Sequence, residues 1–274
     1  MPMKSIKCLP IILLAACSLS VSSRTVISRT TREPVAYAGV GIVNRNLGTV
    51  TDTAGHFSLS VPNEYLDDTL RISSVGYISK SFAVKDFKNI PDTIELDDDI
   101  IELGEVVVKP QRIKHRIAGR KGTGGFIYIE VEGHKAAGQG LAIPLNVRKR
   151  AWLKELGFTV VVNDATLQHM KFRVNIYRKG ENGYEAEPIK PLYFDYDRKE
   201  LVDGTFVFTF PSELMLDSGD YYVELEFLEN IRNGMFLMKT KPVTGRTRFR
   251  YASQSAWMTL PFGAPLYVAY DSAE

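Results

Sequence analysis

Along most of this chain, apolar and polar residues alternate in short runs, each closed by turn-forming residues. Period-two alternation places side chains on opposite faces of an extended strand. In the first part of the chain it predicts strands over Tyr37–Val43, Thr49–Thr51, Phe57–Val61, Thr69–Ser73, Lys80–Val84 and Thr93–Leu96. Asn44–Gly48 and Asp52–Gly55 supply turns between them, and Gly55 suits a positive φ. No stretch repeats at i, i+3, i+4, i+7 long enough to make a substantial helix. Short strands at this spacing predict a small β-sandwich.

The pattern resumes further on with candidate strands over Phe126–Val131, Leu141–Val147, Trp152–Val162, Met170–Tyr177 and Pro191–Phe194. Thr205–Phe210, Tyr221–Phe227, Phe236–Lys239 and Leu266–Tyr270 follow. Phe172, Val174 and Ile176 share one face of their strand. In Tyr221–Phe227 the alternation sets Glu224 and Glu226 on a face expected to meet solvent. The expectation is a second, larger antiparallel sandwich, jelly-roll-like, and an all-β fold class overall.

Three motifs carry a family resemblance. Arg32-Glu33-Pro34-Val35-Ala36-Tyr37-Ala38-Gly39-Val40 is followed by Gly48-Thr49-Val50-Thr51-Asp52-Thr53-Ala54-Gly55-His56-Phe57-Ser58-Leu59, then by Ser73-Ser74-Val75-Gly76-Tyr77. In register, these runs resemble the carboxypeptidase regulatory-like domain, a transthyretin-like sandwich common in exported proteins of Bacteroidota. Leu103–Val108 is similar to the segment that closes such domains. The resemblance implies a sandwich over 24–108 and no catalytic residues within it, because in peptidases bearing this module the zinc ligands and catalytic glutamate lie in another domain. Lys171-Phe172-Arg173-Val174-Asn175-Ile176-Tyr177 and Gly219–Glu226 resemble the C-terminal region of Bacteroidota carboxypeptidase-like regulatory-domain-containing proteins. That likeness implies an accessory β-sandwich and supplies no chemistry.

Ahead of these domains, Lys4 and Lys7 precede a short apolar run that ends in Leu14-Ala15-Ala16-Cys17. The run is too short to span a bilayer, which takes roughly 20 residues. The layout reads as an export signal over 1–16 and a tether over 17–23, with Cys17 the lipidated residue. Cleavage there removes Cys8, so the mature chain is expected to hold no disulfide, cysteine nucleophile or cysteine-ligated zinc. Losing Lys4 and Lys7 leaves 32 basic residues against 32 acidic ones, a balance that disfavours nucleic-acid binding. The expected address is an outer-membrane lipoprotein on the periplasmic face, with a soluble periplasmic or secreted form as the alternative.

Between the two domains the charge pattern reverses. Asp92–Glu105 holds only acidic charges and Lys109–Lys121 only basic ones. Residues 109–124 are expected to be a linker, leaving 125–274 to the second domain. Asp97-Asp98-Asp99 lacks the alternating ligands and glycine of a calcium loop. Lys121-Gly122-Thr123-Gly124-Gly125 lacks the Gly-Lys-Ser/Thr ending of a phosphate loop.

The remaining candidate chemistry is sparse. His56, His115, His134 and His169 are scattered, and their spacing selects neither a metal site nor a relay. No cofactor is expected. Trp257, Phe262 and Tyr267 sit near turn residues, where rings stack on sugars or capture peptides, and Arg248 and Gln254 are their polar companions. These five are the ligand-binding candidates. The reading is a non-catalytic extracytoplasmic accessory or binding protein of the cell envelope, with an envelope protein, peptide or glycan as partner. The alternative is a hydrolase of peptide or glycan, with its site in the second domain or at the domain junction.

Overall fold

The computed structural model describes residues 23–99, 113–122, 124–131, 133–180, 183–184, 188–189, 191–240 and 242–273, with 183–184 and 242–245 described by their backbone. The export signal, Cys17 and Leu103–Val108 lie outside the described residues. The fold is all-β. Its helical segments, among the described residues, are short 3-10 turns.

The first domain contains β1 (Ser23–Ser28), β2 (Gly39–Ile42), β3 (Gly48–Val50), β4 (His56–Ser58), β5 (Thr69–Ser73), β6 (Tyr77–Ile78), β7 (Lys80–Ala83) and β8 (Thr93–Asp98). They form two four-stranded sheets, ordered β4-β1-β8-β6 and β3-β2-β5-β7. β1 and β8 run parallel, and the other pairs are antiparallel. Alternation decides what lies between the sheets: Val26, Val40, Ile42, Phe57, Leu70, Ile72, Ile94 and Leu96 fill a single apolar core. The tight turn before β4 works because Gly55 takes φ +76° and Asp52 accepts from the Ala54 and His56 amides at 2.9 and 2.8 Å.

The second domain contains β9 (Ile113–Gly119), β10 (Ile127–Glu130), β11 (Gly140–Val147), β12 (Ala151–Thr159), β13 (His169–Gly180), β14 (Gly183–Tyr184) and β15 (Leu192–Asp197). It continues with β16 (Thr205–Thr209), β17 (Met215–Leu216), β18 (Gly219–Phe227), β19 (Leu237–Thr240), β20 (Pro242–Arg250), β21 (Met258–Phe262) and β22 (Leu266–Ala273). One sheet is ordered β14-β13-β18-β11-β20-β21, with β15 also on β13. A second is ordered β16-β12-β22-β9, with β17 on β12, and β10 pairs with β19 in a two-stranded sheet. Between the first two lies an aromatic-rich core. Phe158 packs against Phe172, Phe206 and Phe236 with ring centres 5.4–5.6 Å apart, and Phe172 meets Phe227 edge-on at 4.9 Å. Offset and edge-on pairs of this kind stabilise beyond the area they bury.

The structure departs from the expected linker at 113–119. That segment is β9, and it pairs along its whole length with β22, from Ile113–Ala273 to Gly119–Tyr267. An edge strand exposed over most of its length carries no apolar period, so its charges read as linker.

The two domains meet over the outer face of the β13-β18-β11-β20 sheet. The Arg173 guanidinium donates from Nη1 to the Tyr37 carbonyl at 2.7 Å, and Gln254 Nε2 donates to Ser73 Oγ at 2.9 Å. The Asn44 amide donates to the Gln254 carbonyl at 3.0 Å. Val50 of the first domain packs with Ala137 and Leu228 of the second. The loop 251–257 presses on β2 and β3 at two glycines. A Cβ at Gly41 or Gly48 would stand 2.1 or 2.3 Å from the Ser253 carbonyl oxygen, so only glycine admits the second domain this closely.

Candidate functional site

Under that junction lies a charged cluster that the alternation pattern alone misplaces. Glu224 and Glu226 do alternate with core residues along β18, but both are 0% exposed. The expectation of a solvent-facing pair is therefore corrected: what covers them is the first domain and the loop 251–257. A carboxylate withdrawn from water is stable only when paired and hydrogen-bonded, and the sheet register supplies the partners. Across four strands, Arg173, Glu226, Gly140 and Arg250 stand opposite one another, and Asn175, Glu224, Ala142 and Arg248 form the next row.

Arg173 donates through Nε to Glu226 Oε2 at 2.8 Å, and its Nη2 lies 2.7 Å from the same oxygen. Arg250 reaches across β11 to both carboxylates, with Nη2 lying 2.9 Å from Glu226 Oε1 and 3.1 Å from Glu224 Oε2. Its Nε stands 2.6 Å from Glu224 Oε1 without the alignment of a hydrogen bond, so that contact is electrostatic. Arg250 crosses β11 where the residues are small. A Cβ on Gly140 would lie 1.8 Å from Glu224 Oε1.

Asn175 joins the two acids by donating from Nδ2 to an oxygen of each at 2.7 Å. Two carboxylates around one amide nitrogen fix the amide orientation, because the reverse would oppose oxygen to oxygen. Asn175 Oδ1 is then a buried acceptor with no partner among the described residues. Tyr177 donates its hydroxyl to Glu224 at 3.0 Å.

Two arginines and two glutamates balance in charge, but the glutamates are not equivalent. Burial pushes the Glu224 carboxyl up to about 7, against the pull of Arg250. For Glu226, burial also pushes upward, but Arg173 and Arg250 together outweigh it and hold the carboxyl below its ordinary range. Burial raises the Tyr177 hydroxyl well above its usual value.

This cluster floors a cavity of about 240 Å³ between the domains. Arg71 and Ser73 of the first domain face Asn175, Tyr177, Gln254 and Trp257 of the second. Arg250 lies 5.2 Å over the Trp257 ring, and Tyr177 meets that ring edge-on at 6.1 Å. Three non-glycine residues at this junction hold positive φ: Tyr37 at 58°, Asn44 at 60° and Gln254 at 65°. For a bulky residue such as Tyr37 this is a strained conformation. The hydrogen bond from Arg173 to its carbonyl ties that strain to the charged cluster.

Of the five ligand-binding candidates, Trp257 and Gln254 line this cavity. Arg248 lies on the same sheet face, 4.8 Å over the Tyr222 ring. Phe262 packs against the second core. Tyr267 is buried on β22 opposite Gly157, whose missing Cβ leaves room for the ring. The structure thus brings together Trp257 and Gln254, with Arg248 beside them, and sends the other two elsewhere. Arg173, Asn175, Glu224, Glu226 and Arg250 went unread as a site. Their signal was charge complementarity between strands, combined with the small residues Gly140 and Ala142 on the strand between.

The histidines stand apart from this cavity. His115 pairs with Asp271, His169 lies 3.5 Å from Asp197, and His56 lies 3.7 Å from Asp52. His56 and His169 line a second interdomain groove of about 880 Å³. His134 sits in the 133–135 turn. Among the described residues no group of three His, Cys, Asp or Glu side chains is placed to hold a metal ion. Asp97 instead pairs with Arg29 at 2.6 Å, and Asp98 accepts from Ser28 at 3.2 Å.

Residues 23–108 match the family model of the CarboxypepD_reg-like domain, so the N-terminal body is similar to that domain. No curated protein sequence matches the chain. Among solved structures, it is similar to the Gt strain of infectious bursal disease virus at 10% identity and a TM-score of 0.28, covering 91% of this chain and 62% of the viral one. The T=1 particles derived from infectious bursal virus match at 10% identity and 0.28, covering 91% and 60%. The VP2 subviral particle of infectious bursal disease virus matches at 10% and 0.29, covering 91% and 62%. The chain therefore spans about three fifths of the length of these viral chains.

Proposed function

We propose that this protein is a non-catalytic accessory protein of the bacterial cell envelope that binds one ring of a hydroxyl-rich ligand, such as the end of a glycan, between its two domains. The address rests on the Cys17 signal layout. The single observation carrying the binding reading is the interdomain cavity, where the Trp257 ring stands among polar side chains of both domains.

The two arginines of the floor are engaged by Glu224 and Glu226, so they are not free to hold an anionic ligand. Trp257 adds an apolar surface at the cavity wall, and Arg71, Ser73 and Gln254 add polar groups around it. At about 240 Å³ the space falls below the ~300–1,000 Å³ of sites for drug-sized ligands, which suits a single ring. The geometry favours binding over hydrolysis because both carboxylates at the site are engaged by arginines. Glu224 and Glu226 are also 0% exposed and do not line the cavity, so neither reaches a substrate to transfer a proton or attack it.

The test is saturation-transfer NMR on the full chain with a panel of mono- and disaccharides, and short peptides as the comparison. Saturable transfer from a sugar, lost in a folded Trp257→Ala variant, is the expected result. Transfer from peptides alone, or from sugars equally in the variant, overturns the reading.

A further inference from the structure

Of the basic block Lys109–Lys121, the described portion from Ile113 on does not line the interdomain cavity, yet the structure gives it a definite setting. On β9, Lys114 and Arg116 stand opposite Ser272 and Tyr270 of β22, whereas Ile113, His115 and Ile117 occupy the other face. Tyr270 belongs to the second core. Lys114 and Arg116 therefore lie on the core side of the sheet, at the end where the core gives way to Ser272.

Facing them is the hairpin that joins β11 to β12, with Arg148 and Lys149 at its tip. The two sheets diverge here around a notch of about 440 Å³, lined by Lys114, Arg116, Arg148, Lys149, Tyr270 and Ser272. Of the acidic residues in the neighbourhood, Asp220 accepts from Asn146 of the notch lining, and two others are engaged elsewhere. Asp217 is held by Arg150 at 3.1 Å. Asp271 points to the opposite face, where it meets His115 and Lys154. Among the described residues, Arg148 and Lys149 have no carboxylate partner. Arg116 donates to Ser272 Oγ at 2.9 Å, which leaves the Ser272 hydroxyl hydrogen to serve as a donor into the notch.

From this arrangement we infer that the open end of the second sandwich is a binding site for a phosphate-bearing anion, gripped by Arg116, Arg148 and Lys149. Guanidinium forks match phosphate oxygens two at a time, and lysine adds a compact charge. Such a group can come from an anionic phospholipid headgroup or from a free phosphate. The site is separate from the sugar cavity, and neither depends on the other.

The test uses the full chain in two arms. One measures sedimentation with phosphatidylglycerol vesicles against phosphatidylcholine vesicles, and any lipid anchor contributes equally to both. The other follows NMR shifts of the β9 and hairpin amides during titration with inorganic phosphate. Each basic residue near an anionic surface is worth about fivefold in affinity, so R148E/K149E is expected to lose at least about 30-fold. R148Q/K149Q, a neutral pair on the same exposed hairpin, is expected to lose less, and both variants are checked for an unchanged melting temperature. Selective phosphatidylglycerol binding lost in the variants assigns the headgroup. Saturable phosphate shifts at these amides, without vesicle preference, assign the free anion. Inward charges also blunt a sheet edge against aggregation; a folded wild-type protein that responds in neither arm, or variants that bind as the wild type does, overturns the inference in favour of that role.

Discussion

Replacing Glu224 with Gln makes the buried cluster report its own electrostatics. In the folded protein burial raises this carboxyl from 4.5 to about 7, whereas in the unfolded chain it titrates near its ordinary value. Between those two pH values the folded protein holds a proton that the unfolded chain has released. Folding takes up a proton there, so this group's contribution to stability falls as pH rises through the window and levels off above about 7. At about 1.4 kcal/mol for each pH unit between the two values, the change is about 3 kcal/mol. Glu226 acts in the opposite sense and in a different range. Its lowered carboxyl contributes stability present above its unfolded value and lost as pH falls below it. Glu224→Gln removes the first titration and leaves the second. The assay is urea unfolding of wild type and variant at pH 4.5, 5.5, 6.5 and 7.5, at constant ionic strength. The stability of wild type relative to variant is expected to decline by about 3 kcal/mol across the series. Any constant offset from the new amide drops out, because only the slope is read. A difference that stays flat, or rises with pH, refutes the assignment of a proton to Glu224.

Gly140→Ala places a methyl group where Glu224 Oε1 already lies, and is expected to cost about 1–3 kcal/mol through overpacking, read as a lower urea midpoint. An unchanged midpoint would mean that the Glu224 carboxylate does not lie over Gly140 as described. Phe158→Ala empties the centre of the second aromatic core and is expected to cost about 3–5 kcal/mol; a loss below about 1 kcal/mol in equilibrium unfolding would contradict that packing. Protein purified from membranes is expected to begin at an acylated Cys17, and Cys17→Ser to appear in the soluble fraction. Intact-mass measurement checks this, and an unprocessed N-terminus would contradict it.

Much of the fold could be read from alternation, because a strand with one face in a core leaves a regular trace. Thr69–Ser73 appears with the expected bounds, and Phe172, Val174 and Ile176 all turn inward as expected. β9 escaped because its described side chains are mostly exposed and no core imposes a period on them. β20 and β21 escaped because turn-rich sequence lies between them and their register is irregular between Pro242 and Thr247.

At the candidate site the reasons differ. Glu224 and Glu226 obey the alternation, but whether the polar face of a strand meets water or another domain depends on tertiary packing. Gly140 and Ala142, small and adjacent on that face, were the local hint of a close cover. Trp257 and Gln254 were found from aromatic and polar residues near turns. The same reasoning chose Tyr267, whose ring was needed opposite Gly157. A ring beside a turn serves a core or a ligand, and local sequence does not separate the two.

The chain has two tryptophans, Trp152 and Trp257, which permits a direct reading of the central claim. In a Trp152→Phe variant, fluorescence comes from Trp257 alone, at the wall of the interdomain cavity. Titration with the disaccharide that gives the strongest NMR response is expected to produce a saturable change in that emission, and Arg71→Ala or Gln254→Ala to weaken it. Constant emission at concentrations that saturate the NMR response would place the sugar elsewhere on the molecule and contradict the account.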